Sequence, residues 1–386
     1  MLPQTDSNLS PARDLGTVRR IVVKVGSAVI TEKGRLRPRM IADLAHDVTV
    51  LGHRGYEVVM VVSGAVAAGF DPLGLPGPPD AVVERQAAAS VGQHRLMSVF
   101  AKAFGRHRIH VAQLLMSADD VENRRRFLSA RHTLQELLTR GVIPIINEND
   151  ALSDDEDKVG DNDHLAALVT NVVSAELLVL LTVVAGVRAD GGEGPVIPQV
   201  EVGSSVEEHI RSKLSPSGVG GMKAKVSAAQ LASDSGVPTI VADGTQPGIL
   251  QRIVAGEEVG TIFLPRSSNL NQRKRWIAVR NRSLGVIIVD AGARQALVQR
   301  GASLLPSGIL DVEGKFTMGS RVDIRDENGE VFAVGLASYS SDDIRRLRGK
   351  KVSEVKDVLG YEYVKEVVHR DDMVVSKEPI PAEVQS

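Results

Sequence analysis

The 386-residue chain has no cysteine, which removes disulfides, thiolate metal sites and thiol nucleophiles together. Aromatic residues make up only 3% of it, with a single Trp. Neither sign of charge dominates: 46 Lys and Arg stand against 48 Asp and Glu, a formal net charge of −2. No global field draws such a chain to nucleic acid or to an anionic membrane, so any contact of that kind has to come from a local patch. Long hydrophobic runs are missing too. The longest largely apolar stretch, Leu177 to Val187, spans 11 residues, where a membrane-crossing helix needs about 20. The opening residues, MLPQTDSNLSPARDL, hold no continuous apolar core of the kind a secretion signal carries. A cytoplasmic protein with a loose N-terminal tail is expected.

What is present points to an Ala/Val/Leu-rich α/β protein: 43% hydrophobic residues, 36 Gly, and length enough for two or three domains. Ile21 to Val25 is a continuous apolar run interrupted only by Lys24, as expected for a strand buried on both faces. Met40, Leu44, Val48 and Leu51 follow at helical spacing, and Glu57 to Val62 restarts a strand. The alternation continues with strands at 110–112, 142–146, 177–182 and 239–241 and helices at 127–138, 165–173 and 224–233. Strands alternating with helices predict a mostly parallel sheet sandwiched by helices, complete by Val241. After a polar linker near Pro265 to Gln272 the pattern changes to short strands at 286–289, 308–312, 321–325 and 331–336, with a turn at Glu327-Asn328-Gly329. A small β-rich domain is expected there.

Four features fall at the carboxyl ends of predicted strands, where open α/β sheets bind ligands. Lys24 is a cation in an apolar strand, and a buried ammonium wants an anion. Val61-Val62-Ser63-Gly64-Ala65 ends a strand in a small-residue turn whose free N–H groups suit phosphate or carboxylate. Residues 148 to 163 hold eight carboxylates against one Lys, with Asn147, Asp150, Asn162 and Asp163 beside a strand end and a helix start. Ser217 to Lys225 is a Gly-rich loop running into a helix, with Lys225 expected in its first turn. Each has a plainer explanation taken singly: an edge-strand Lys, a tight turn, a solvated loop, helix caps. Together, two lysines from distant segments, a Gly-rich helix start and an acidic cluster form a set suited to phosphoryl transfer.

The segments VVKVGSAVIT, VVSGAVAAG, RQAAASVGQ, AQLL, NENDAL, KVGDND and GVGGMKAK, in this order, closely resemble the glutamate-phosphorylating members of the amino acid kinase family. WIAVRNRSLG, GASLLPSGI and GYEYVKEVVHRDDMVV resemble a PUA domain. The resemblance implies an amino acid kinase fold plus a small C-terminal β-rich PUA domain. The expected division is a tail at 1–17, a kinase domain at 18–265, a linker at 266–273, the PUA domain at 274–376 and a tail at 377–386. By the same resemblance Lys24, Lys225 and Asp163 are catalytic, the aspartate orienting both lysines. Ser63, Asp150 and Asn162 hold L-glutamate. Lys24, Thr182, Val183, Val219, Gly220, Gly221, Met222, Lys223, Ala224 and Lys225 bind the nucleotide. The implied reaction takes ATP, with Mg²⁺, to the γ-carboxylate of glutamate, the first step of proline biosynthesis. Metal ligands are not implied. A homo-oligomer is, while feedback by proline and RNA as a partner of the small domain stay open.

The chain departs from the family pattern around the nucleotide. Val183 stands where an Asp is usual, Ala185 replaces a further acidic residue, and Val219 occupies a position where Thr is common. Two other readings compete: a different member of the family, or an RNA-binding or regulatory protein with an impaired kinase site. Residues 274 to 375 hold 17 Lys and Arg against 15 Asp and Glu, weak footing for phosphate-driven RNA binding. Trp276, Tyr361 and Tyr363 are expected in the small domain's core rather than as stacking platforms.

Overall fold

A computed structural model describes residues 13, 15, 17–77, 79–152, 162–189, 194–201, 203–204, 220–265, 283–361 and 364–375. The chain forms two compact units, Met1–Val121 with Thr133–Ser268 and Glu122–His132 with Asn269–Ser386. The segment Glu122–His132 falls within the stretch expected as a kinase domain, 18–265, and groups by its contacts with the second unit. The linker at 266–273 and the tail at 377–386 lie outside the described residues, as does most of the tail at 1–17.

The first unit begins with β1 (Arg20–Val25), α1 (Ser27–Ile30), the short hairpin β2 (Thr31–Glu32) and β3 (Arg35–Leu36), α2 (Pro38–His53) and β4 (Glu57–Val62). Pro38 at the first turn of α2 presets a helical φ where no N–H partner is needed. α3 (Ala65–Gly69), α4 (Val82–Gly105), β5 (Val111–Met116), α5 (Ala118–Glu122), α6 (Arg124–Thr139) and β6 (Ile143–Glu148) follow. The series closes with α7 (Asn162–Val173), β7 (Leu177–Thr182), β8 (Gln199–Glu201), α8 (Gly220–Asp234), β9 (Thr239–Asp243), α9 (Ile249–Val254) and β10 (Thr261–Leu264). The sheet runs β5-β6-β4-β1-β7-β9-β10-β8. Every pair is parallel except β9 with β10. The sheet is therefore not complete by Val241, because β10 and β8 extend it beyond β9. Both were hidden by their shortness, three and four residues.

The apolar runs form the middle of this sheet. Ile21, Val22, Val23, Val58 to Val62 and Leu177 to Leu181 are all buried, as strands covered on both faces must be. The longest helix, α4, is not among those expected. The first half of its buried face is Ala88, Ala89, Gly92 and Gln93, with no large apolar residue, and only the second half carries Leu96, Phe100 and Phe104 at helical spacing. The small residues allow close contact. A Cβ on Gly92 would lie 1.8 Å from the Ala65 carbonyl of α3, and one on Gly69 would lie 1.8 Å from the Ala88 carbonyl. β5 and β6 both run further than expected, to Met116 and Glu148, and α8 starts four residues earlier, at Gly220.

The second unit holds a five-stranded sheet of β11 (Gly285–Val289), β12 (Ile309–Gly314), β13 (Arg321–Arg325), β14 (Val331–Leu336) and β15 (Met373–Val375), in the order β12-β11-β13-β14-β15. The four expected strands are all present. The turn between β13 and β14 is closed by Asp326, whose carboxylate accepts from the Asn328 and Glu330 N–H groups, with Gly329 at φ 86°. The strand β15 and a helix at Ala291–Arg300 were not read from the sequence. Tyr361 is exposed and donates its hydroxyl to Asp343, contrary to a core position, while Trp276 and Tyr363 lie outside the described residues.

Gly92→Ala tests the α3–α4 contact. Ala raises intrinsic helix stability by up to about 1 kcal/mol. Overpacking against a backbone carbonyl should outweigh that gain, for a net loss of about 2 kcal/mol in urea unfolding. Unchanged or raised stability would show that the two helices can part at no cost.

Candidate active site

The parallel order places β1 between β4 and β7, so the carboxyl ends of three consecutive central strands meet. Backbone hydrogen bonds seal them together: Ser63 N–H donates to the Val25 carbonyl at 3.1 Å and Gly26 N–H to that of Leu181 at 3.0 Å. The chain lays β4 on one side of β1 and β7 on the other, so the strand order switches at this point, the usual ligand position in an open α/β fold.

Lys24, one residue from the end of β1, reaches Asp163 in the first turn of α7. Its Nζ stands 2.8 Å from Asp163 Oδ1, and Lys225 Nζ of α8 stands 2.9 Å from Oδ2. Lys24, Asp163 and Lys225 are 4%, 4% and 7% exposed. One carboxylate thus divides its two oxygens between two buried ammonium groups. Two buried ammonium groups thus converge on one carboxylate, an arrangement that suits an anionic ligand. Lys225 sits in the second turn of α8, not the first, and also donates to the Gly221 carbonyl at 3.1 Å. The start of α8, with Gly220 and Gly221, adds the positive end of its helix dipole on the same side as Lys225.

The other nucleotide candidates distribute unevenly. Thr182 ends β7, with its carbonyl accepting from Gly244 N–H at 2.8 Å. Val183 is exposed, so its side chain buries no unmet polar group by replacing an acid. Met222, Lys223 and Ala224 lie on the first two turns of α8. Val219 lies outside the described residues.

Beside the strand ends is a cavity of about 370 Å³, the size of a small-metabolite site, walled by Gln93 and His94 of α4, Gln113 of β5, and Glu148, Asn149 and Asp150 at the end of β6. Of the three residues expected to hold glutamate, only Asp150 lines it. Ser63 ends β4 beside Val25, two residues before the lining residue Ala65. Asn162 is buried behind the wall, where its Oδ1 accepts from Glu148 N–H at 3.2 Å. Asn147 Oδ1 accepts from the same N–H at 2.9 Å, and Asn147 Nδ2 donates to Gln93 Oε1 at 2.8 Å. A polar chain therefore runs from α4 through the end of β6 to the residue preceding Asp163. Burial pushes the Asp150 carboxyl up to about 6. Its Oδ1 has no hydrogen-bond partner among the described residues. Gln93, His94, Gln113 and Glu148 were not assigned from sequence. They stand in RQAAASVGQH, AQLL and NENDAL, but periodicity does not tell which turn of a helix or end of a strand meets a cavity.

The Amino acid kinase family model matches residues 19–243, and the PUA domain model matches residues 285–359. The chain belongs to the amino acid kinase family and carries a PUA domain after it. It is 46% identical over 368 residues to Glutamate 5-kinase of Syntrophotalea carbinolica, covering 94% of this chain and 99% of that one. It is 44% identical over 376 residues to Glutamate 5-kinase of Myxococcus xanthus, covering 96% and 100%. Among solved structures it is similar to carbamate kinase from Giardia lamblia bound to AMP-PNP, at 14% identity and TM-score 0.47, over 64% of this chain and 98% of that one. No helix among the described residues is long and apolar enough to cross a membrane.

The charge arithmetic of the cluster predicts an asymmetry in stability. Lys24→Ala or Lys225→Ala leaves a one-to-one ion pair and a folded protein. Asp163→Asn removes the carboxylate that two adjacent buried ammonium groups share and should cost about 3–5 kcal/mol in denaturant unfolding. Equal losses for all three variants would mean that the two lysines do not share the aspartate.

Proposed function

We propose that this chain is an ATP-dependent glutamate 5-kinase, transferring the γ-phosphoryl group of ATP to the γ-carboxylate of L-glutamate. The products are ADP and L-glutamyl 5-phosphate, the first intermediate toward proline. The observation that carries this reading is the buried Lys24–Asp163–Lys225 cluster, which brings two ammonium groups to one point at the strand ends. Names of relatives nearly as long as this chain support the substrate.

The chemistry asks little of a base. A carboxylate is already a nucleophile, so one γ-carboxylate oxygen attacks the γ-phosphorus, the bond to the β-phosphate oxygen breaks, and ADP takes the electron pair. The barrier lies in bringing two anions together, which falls to Lys24 and Lys225. Asp163 keeps both ammonium groups charged and aimed. In the neighbouring cavity, Asp150 accepts the α-ammonium of glutamate. Asn162, in contact with the end of β6 through Glu148 N–H, keeps that wall in register with Asp163. Ser63 serves the reacting end through its turn.

Mg²⁺ fits this site only as part of the incoming nucleotide. Among the described residues no three acidic or histidine side chains converge on a point, and both oxygens of Asp163 are taken by lysines. An ion bound mainly by phosphate oxygens and water needs no such cage. It supplies charge neutralisation on the phosphates.

The reading of a chain that has lost phosphoryl transfer finds no support in the cluster, which is complete. Acyl phosphate trapped as hydroxamate, measured with glutamate, aspartate and N-acetylglutamate, tests the assignment. Product from glutamate alone, requiring ATP and Mg²⁺, is expected. A preference for either of the others would move the chain elsewhere in its family.

Lys24→Ala and Lys225→Ala should each lower kcat on the order of 10²–10³ while the protein stays folded. Near-normal turnover in either would remove the clamp. Asp150 gives a pH signature. Its free-enzyme carboxyl titrates at about 6 and must be ionised to accept an ammonium. Below pH 6, kcat/KM for glutamate should therefore fall roughly tenfold per pH unit, while kcat/KM for ATP at saturating glutamate stays flat. Free glutamate has no group titrating between pH 5 and 7. Asp150→Asn should give a high glutamate KM without the inflection. An inflection surviving in that variant would assign it to another residue.

A further inference from the structure

α6 is continuous from Arg124 to Thr139, and its buried positions Phe127, Leu128, Arg131 and Leu134 follow helical spacing. Three of the four are apolar. The fourth is Arg131, fully buried where a Leu or Met would be expected. It belongs to the segment Glu122–His132 that is part of the second unit, and its partners come from the same unit. Arg131 Nη1 donates to Asp372 Oδ1 at 2.8 Å and Nη2 to Asp371 Oδ2 at 3.0 Å. Both aspartates lie on the tight turn Arg370–Asp372 that leads into β15. His132, which burial keeps neutral with a titration near 4, and His369 complete the surroundings.

A buried ion pair is a poor stabiliser, since desolvating two charges offsets their attraction and an apolar pair of equal volume often serves better. What a two-pronged guanidinium adds is fixed orientation. The element it orients has a particular place in the chain. α5 and α6 form the crossover from β5 to β6, and these strands carry Gln113, Glu148, Asn149 and Asp150 into the cavity. The connections are tight at both ends. At the cavity side Ser117 N–H donates to Asp120 Oδ2 at 2.8 Å and Arg126 N–H to Asn123 Oδ1 at 3.1 Å, and at the far side Val142 N–H donates to the Leu137 carbonyl.

We infer that Arg131 is a positioning residue for the amino-acid pocket: gripped by Asp371 and Asp372, it sets the rotation of α6 and hence the placement of the strand ends that hold the substrate. Asp371 and Asp372 thereby bear on glutamate binding through the covalent continuity of α6 with its flanking strands. The inference rests on the glutamate reading of the cavity given above.

Three variants of the full chain test it: Arg131→Met, Asp371→Asn, and Arg131→Met combined with Asp372→Leu. Arg131→Met should raise the glutamate KM at least fivefold with the ATP KM unchanged within twofold. Amide hydrogen exchange at 143–148 should quicken while 20–25 and 177–182 keep their protection. The double variant replaces the pair by apolar groups, so it should recover thermal stability yet keep the raised glutamate KM. A KM that returns with stability would reduce Arg131 to an ordinary structural residue and overturn the proposal. So would unchanged KM and exchange in folded Arg131→Met. If that variant fails to fold, Asp371→Asn decides: it removes one prong at a half-exposed carboxylate and should raise the glutamate KM two- to threefold, and no rise overturns the proposal. Exchange needs no substrate, so an unmodified protein inactive on glutamate sinks the functional reading alone, and unaltered exchange at 143–148 sinks this one alone.

Discussion

Asp163 holds the site together. Its two oxygens reach lysines from the next-to-last residue of a central strand and from a helix more than sixty residues later in the chain, at 2.8 and 2.9 Å. Two ammonium groups brought this close without it would repel strongly in a dry interior. With it, they are held in one place before any substrate arrives. Preorganisation of this kind is the main electrostatic resource of phosphoryl-transfer sites, since the protein need not rearrange when charge moves. The parallel sheet serves the cluster by placing the end of β1 against β7 and the start of α7 close by.

Small residues shape the neighbouring cavity as much as polar ones do. α3 and α4 approach until backbone touches backbone at Gly69 and Gly92, which brings Gln93 and His94 beside the end of β6. From there the amides of Gln93, Asn147 and Asn162 converge on the peptide of Glu148. Buried polar networks keep one geometry only when their members are satisfied together. The network ends next to Asp163, so the cavity and the lysine–aspartate cluster share one hydrogen-bonded wall. Two anions that must meet in line are served by such a common frame.

The second unit enters this frame through covalent connection. Its fold takes in Glu122–His132, a segment whose flanking strands both wall the cavity. A domain reading based on where β-rich sequence begins treats the C-terminal unit as an appendage. The fully buried Arg131 and its two aspartates, 240 and 241 residues away in sequence, show that this unit is built from two separated parts of the chain.

Sequence alone determined the alternation of buried strands and helices, because β-branched and leucine runs such as 177–181 have no stable place outside a sheet covered on both faces. It suggested the chemistry as well: Lys24 in an apolar strand, Lys225 after a Gly-rich loop and the acidic cluster have plainer explanations singly but together form a set suited to phosphoryl transfer. The family motifs then paired them with Asp163, and the structure brings the three together. Tertiary structure decided the rest. The first half of α4 offers only Ala, Gly and Gln at its buried positions, β8 and β10 are too short, and neither Gln93 nor Gln113 differs in local sequence from an ordinary surface amide. Arg131 is the clearest case, since an Arg on a helix reads as solvent-facing until the fold supplies two aspartates from the far end of the chain. Contacts of such sequence separation leave no local pattern, because the physical reason for the residue lies in its partner rather than in its neighbours.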